Sequence, residues 1–199
     1  IDDFDVPDEL QSVLYTDRFV LTSEYGKERN EYNVFANDDE RNQWTNFMKL
    51  YEEHDHSRQT LCRQMRPFVM RGYRDNRVVL QMSRFRGCYA NLCCKCPHKI
   101  CLEVPWGKKV GWVKQAPYCG QLAFVLTDMD ENPLLMVRGP WFTSKCCVDI
   151  LFNVYTMTDP RPIGSILRQQ RTDNNTFCIS FPVDLHCVLK FLLISVTVL

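Results

Sequence analysis

The sequence lacks the signatures of several common catalytic classes. Its 199 residues contain no GxGxxG, no Walker-type phosphate loop and no GxSxG elbow, which removes nucleotide binding of those kinds and serine-hydrolase chemistry. Long hydrophobic runs are missing too. The most apolar stretch, "LHCVLKFLLISVTVL" from Leu185, is interrupted by His186 and Lys190 and ends with the chain; it falls short of the roughly 18–20 residues that a bilayer span needs. It reads either as a buried core element or as a span cut short by the end of the chain. The opening "IDDFDVPDEL" is acidic, without an apolar stretch, and is not expected to act as a secretory signal. Acidic residues are nearly absent from one region: residues 58–102 hold eight Arg and two Lys against Asp75 alone.

That scarcity sits inside a chain of zero net charge. Residues 1–57 carry fifteen acids and five bases, and residues 103–199 carry eight acids and nine bases. Neutrality therefore hides a basic stretch, which suits an anionic partner, lipid or nucleic acid. Basic and aromatic residues interleave at "RPFVMRGYRDNR", but a pI near 7.0 disfavours nucleic acid. The length fits a single domain over 1–199, with an acidic N-terminal segment at 1–10 and the hydrophobic segment at 185–199. A start at Ile1 and the abrupt end suggest a shortened form of a longer protein.

Trp44, Phe47, Met48 and Tyr51 recur at helical spacing, which predicts a helix over 42–54. Most of the remainder predicts strands. "VDILFNVY" places Val148, Ile150, Phe152 and Val154 on one side, and "FCISFPV" does the same with Phe177, Ile179, Phe181 and Val183. Turn signals such as "YRDN", "PWGKK", "MDENP" and "TDPRP" recur at short intervals. The pattern is that of an antiparallel sheet, sandwich or barrel.

Five of the eleven cysteines lie in "CYANLCCKCPHKIC", residues 88–101. With no secretory signal expected, free thiols are expected rather than disulfides. Zinc would need four ligands. Cys93-x-x-Cys96 supplies one knuckle, with His98 and Cys101, or Cys146 and Cys147, as a second pair, but no second C-x-x-C exists. Acylation fits better. Several adjacent thiols with basic neighbours are what firm attachment to an anionic leaflet requires. Structural or idle thiols remain the plain alternative.

The order of motifs after this cluster resembles one family. "EVPWGKKVGWVKQ" is followed by Cys119, then "MVRGPWFTSKCCVDILFNVY", "PIGSI" and "TDNNTFCISFPVDL". From about residue 10 onward the chain is similar to the phospholipid scramblases. The resemblance implies a Tubby-like fold, a closed antiparallel barrel of twelve strands around a hydrophobic C-terminal helix. It implies a lipid transporter rather than an enzyme, one that moves phospholipids between leaflets in both directions, without ATP and activated by calcium. The alternative is a palmitoylated, membrane-tethered module that binds lipids or protein partners without transport. The membrane implied is the plasma membrane at its cytoplasmic face, or another intracellular membrane.

Carried over by motif, the S-palmitoyl sites are Cys93, Cys94 and Cys96, with Cys88 and Cys101 as neighbouring candidates. The calcium segment falls on Asp173–Asp184, with Asp173, Asn175, Phe177, Ile179, Phe181 and Asp184 at the ligand positions. Cys178 stands where such a loop wants glycine, and Asn175 where an acid is common, so the implied site is weak. Arg66, Arg71, Arg74, Arg77, Arg84, Arg86, Lys95 and Lys99 are the expected anionic-lipid surface.

Overall fold

The computed structural model describes residues 6–25, 30–38, 43–53, 67–84, 98–118, 121–141, 149–170 and 174–199. Within them a 3-10 helix, Asp8–Tyr15, precedes twelve strands: β1 (Arg18–Tyr25), β2 (Asn30–Asp38), β3 (Gln43–Glu53), β4 (Phe68–Arg74), β5 (Arg77–Arg84), β6 (Lys99–Glu103), β7 (Lys109–Tyr118), β8 (Gln121–Thr127), β9 (Pro133–Arg138), β10 (Ile150–Thr156), β11 (Pro162–Gln170) and β12 (Asn174–Ser180). A single α-helix, α1 (Cys187–Val198), follows. Each strand pairs antiparallel with its sequence neighbours, and β12 pairs with β1 to close the barrel. Closure leaves no strand edge open.

Alternation decides which side chains face in. Leu50, Met70, Leu80, Met82, Ile100 and Leu102 are buried, while Arg71, Gln81 and Glu103 follow one another across the outer face of β4, β5 and β6. On this part of the wall the pattern is apolar inside and polar outside, whereas across β10, β11, β12, β1 and β2 the outward Leu151, Leu167, Cys178, Val20 and Phe35 lie side by side. The interior is filled by α1. Phe191, Leu192, Leu193 and Ile194 are fully buried, so the helix is enclosed on every side, as its all-round apolar sequence requires. Each such side chain contributes about 1.5–3 kcal/mol of burial. The enclosure resolves the two sequence readings of this segment in favour of core. At twelve residues α1 is about 18 Å long, and no helix among the described residues is long and apolar enough to cross a membrane. Gly111 on β7 lets the helix approach the wall. A Cβ there would collide with the Thr127 carbonyl oxygen and lie 3.2 Å from Leu192 Cδ1.

The predicted helix over 42–54 is a strand, β3. Val34 pairs with Met48 and Phe35 with Asn46, leaving Phe47 as the extra residue of a bulge. The bulge turns consecutive Phe47 and Met48 inward, to 3% and 2% exposure. Two adjacent apolar residues in a strand break the period of two, and that break mimicked a helical stripe. Trp44 is exposed, and Tyr51 faces outward against the Tyr73 ring at 5.6 Å. The "YRDN" signal is a two-residue hairpin, with Asp75 and Asn76 both left-handed at φ 50° and 62°.

Because every strand reverses direction, the connections alternate between two ends. β12 ends at the lower end, where α1 begins and where the 3-10 helix leads into β1. Lys190 ties that end together. It is fully buried, and its Nζ donates to the carbonyl oxygens of Val13 (2.9 Å), Leu14 (3.2 Å), Thr16 (2.9 Å) and Val183 (2.7 Å). One ammonium thus holds the 3-10 helix, the turn after β12 and α1 in register.

Candidate functional site

The upper end of the barrel is framed by the strand ends that lead into and out of the cysteine-rich sequence. β5 ends there at Arg84 and β6 returns from there at Lys99. The sequence between them carries Cys88, Cys93, Cys94, Lys95 and Cys96, which lie outside the described residues together with Arg66, Arg86 and Asp173. Other connections at this end, β3–β4, β7–β8 and β9–β10, contain Cys62, Cys119, Cys146 and Cys147. Eight of the eleven cysteines therefore fall in sequence between strand ends of one rim. The other three are structural in placement. Cys101 on β6 and Cys187 on α1 are buried, and Cys178 on β12 is half-buried. Burial raises the pKa of all three thiols. A fully buried Cys101 presents no sulfur to a bilayer, which separates it from the other cysteine candidates.

Among the described residues, the structure divides the basic candidates instead of gathering them on one face. Arg74 and Arg77, at the lower end, reach the 3-10 helix through Ser12 Oγ (3.2 Å) and Glu9 (3.3 Å). Arg71 lies on the outer wall against Glu53 (2.6 Å) and Gln81 (3.1 Å), with the Trp106 ring 5.4 Å away. Lys99 sits over the Trp112 ring at 3.7 Å and shares Glu131 with Lys114, at 2.8 and 2.7 Å. Those two ammonium groups hold the Glu131 carboxyl down at about 2. Arg84 faces inward at the upper end, 4.5 Å over the Phe68 ring. Beside it, burial and the Arg84 charge lower the pKa of His98.

The expected calcium segment is a strand with a turn beyond it. Asn175, Phe177 and Ile179 lie on β12 and pair with both β1 and β11. Phe181 is buried against Phe19 at 5.3 Å. The run from Asn175 to Ser180 alone extends about 17 Å. Asn175 is therefore at the upper end and exposed Asp184 at the lower end, and their oxygens do not converge. The physical reason is the alternating Phe and Ile pattern: folding into the core wins over curling around an ion. No group of three or more His, Cys, Asp or Glu able to hold a metal occurs among the described residues.

A model of the scramblase family matches residues 25–199. The chain belongs to the scramblase family. It is 30% identical over 155 residues to phospholipid scramblase 2 of Bos taurus, covering 72% of this chain and 52% of that one. It is 28% identical over 153 residues to phospholipid scramblase 1 of Homo sapiens, covering 72% and 48%. Phospholipid scramblase family member 5 of Homo sapiens is 27% identical over 150 residues, covering 68% and 53%. The chain spans about half the length of these curated relatives. No solved structure matches. The scramblase-family match runs from the end of β1 through α1.

Two groups escaped the sequence reading. Glu52 on β3 is 4% exposed on the inward side of its strand. Arg168 on β11 also points inward, two residues past buried Ile166, with the Phe177 ring at 6.0 Å. Once β11 is read as a strand, the spacing Gly164, Ile166, Arg168 is the signal that places this arginine inside.

Proposed function

We propose that this chain is a membrane-tethered phospholipid scramblase, moving lipids between leaflets in both directions without ATP. The observation that supports it is the family match over 25–199, which spans almost the whole barrel and its central helix. In this reading Cys93, Cys94 and Cys96 carry palmitate and hold the upper end against an anionic cytoplasmic leaflet, that of the plasma membrane foremost. One acyl chain binds only marginally, and several bind firmly. Calcium enters as an activator implied by the family resemblance. The strand from Asn175 to Ser180 does not supply its site.

The headgroup does not pass through the barrel in this reading, because α1 fills the interior. A charged headgroup crossing an apolar layer is costly. Lipid therefore crosses where the tethered barrel disturbs the bilayer beside it. The filled interior favours a second reading, a tethered module that binds anionic lipid or protein partners without moving lipid. Reconstitution into vesicles separates the two. Calcium-stimulated exposure of a labelled inner-leaflet lipid supports transport. Retained binding to anionic vesicles with no lipid movement supports the binding module.

A further inference from the structure

The outer wall of the barrel differs from one side to the other. On β3 to β7 its outward positions carry charge, Lys49, Glu53, Arg71, Glu103 and Lys114 among them. From β10 round to β2 the wall changes. Pairing sets Leu151 beside Leu167, Leu167 beside Cys178, Cys178 beside Val20, and Val20 beside Phe35. Their neighbours along the strands, Ile166, Ile179, Phe19, Leu21 and Val34, are buried, so the row itself faces out. Leu151 is 48% exposed and the other four are half-buried. The row above is Gln169, Thr176, Thr22 and Asn33, and the row below is Asn153, Ser165, Ser180 and Arg18. Charge enters at two corners, Arg18 below and Asp149 just ahead of β10, one of each sign.

The apolar row is one residue tall, with polar rows about 7 Å above and below it. A barrel wall in lipid needs an apolar band about 25 Å tall, and lipid here would leave the flanking hydroxyls and amides without partners. A protein surface can answer them, and an apolar centre depleted of charge is the make-up of an interface core. The row also has the same character read from either end, two apolar residues on each side of Cys178. A two-fold axis in the plane of contact at Cys178 therefore lays the row on its own copy. With the axis along the strands, Leu167 meets Val20 of the second copy and Arg18 meets Ser165. With the axis along the row, Leu167 meets Leu167 and Arg18 meets Thr22. Either direction brings Cys178 to Cys178, and neither sets like charges against each other. The wall of a closed barrel is convex, so contact centres on β11, β12 and β1. Three strands by three rows is about 14 Å by about 20 Å, or about 300 Å² from each copy. A standard interface takes about 800 Å² from each partner, so this pair is weak and reversible.

We propose that the outward face of β11, β12 and β1 is a self-association surface, which pairs with the same face of a second copy of this chain about a two-fold axis at Cys178. Such an isologous contact closes at the dimer. The inference does not rest on the membrane-tethered reading, and it is tested without a membrane.

The test uses the whole chain, not acylated, in reducing buffer free of lipid and detergent. Sedimentation over a concentration series reaching about 1 mM, the range of weak association, is expected to show a reversible monomer–dimer equilibrium. Leu167→Glu and Val20→Glu each bring carboxylates into the contact from both copies and should weaken the dimer by about tenfold or more. Gln81→Glu, on β5 at the opposite wall, should leave it unchanged. Unfolding midpoints establish that each variant compared is folded. A second measurement needs no variant. Alkylation of Cys178, followed in its peptide by mass spectrometry, should slow as the dimer fraction rises. A monomer throughout the series would overturn the pairing and leave the face to a different partner. A dimer that both Leu167→Glu and Val20→Glu leave intact would overturn it, as would an equal loss in Gln81→Glu. So would a mass that climbs past the dimer, or a Cys178 alkylation rate indifferent to concentration.

Discussion

At pH 7 the Lys190 ammonium is charged, although burial pulls its pKa to about 8 from 10.5. The nearby Cys187, Asp184 and Asp17 act against that shift. Four carbonyls around one buried cation explain how it is tolerated. Lys190→Met strips these carbonyls of their donor. It should cost on the order of 3 kcal/mol at pH 7, read from the urea midpoint. The pH dependence has a definite sign. The folded pKa lies below the unfolded one, so between about pH 8 and 10.5 the unfolded chain holds more protons and stability rises with pH. The margin of wild type over Lys190→Met should therefore widen through that window. A margin that stays flat or narrows would show that the lysine is not perturbed in this way. From the sequence, Lys190 was only a polar interruption in an apolar run. Three of its four partners lie more than 170 residues away on the N-terminal side, and no local pattern reveals them.

At the scale of elements, β10 and β12 were legible because strict alternation survives in them, whereas β3 was not because its bulge brings Phe47 and Met48 in together. The calcium segment carried two overlapping patterns, and the alternating apolar one dominates the fold. Asp184 stands at the opposite end of the barrel from Asn175. Asp184→Asn should thus leave the calcium concentration for half-activation of transport within about twofold, while loss of a carboxylate ligand would shift it much further, since affinity follows ligand charge. A tenfold shift in a calcium titration would restore the loop. The contact of α1 with the wall makes a second prediction. Gly111→Val adds volume against the Thr127 carbonyl and Leu192. It should lower stability by about 1–3 kcal/mol, the usual cost of overpacking, seen as a lower thermal midpoint. An unchanged midpoint would mean that the helix does not press on β7.

For the whole molecule, the closed barrel and enclosed helix followed from the family resemblance, and strand richness alone had left sandwich and barrel open. Which end carries the cysteines was not legible until strand order fixed which connections share a rim. The candidate site was legible only in part. Arg84 was named for its charge, but its inward direction depends on pairing with Phe68, and Arg168 stood apart from the basic stretch altogether. Tethering makes its own prediction. Replacing Cys93, Cys94 and Cys96 together with Ser should release the protein from membranes, and hydroxylamine should release the wild type. Association that survives both treatments would mean that thioesters are not the anchor.

Lipid exposure in reconstituted vesicles tests most directly the proposal that a helix-filled barrel tethered at one rim moves lipid. With a fluorescent phospholipid in both leaflets and a membrane-impermeant quencher outside, adding calcium to protein-bearing vesicles is expected to carry quenching past the outer-leaflet share without ATP. Quenching that stops at the outer-leaflet share, with the protein still bound to the vesicles and the bilayer intact, would contradict it.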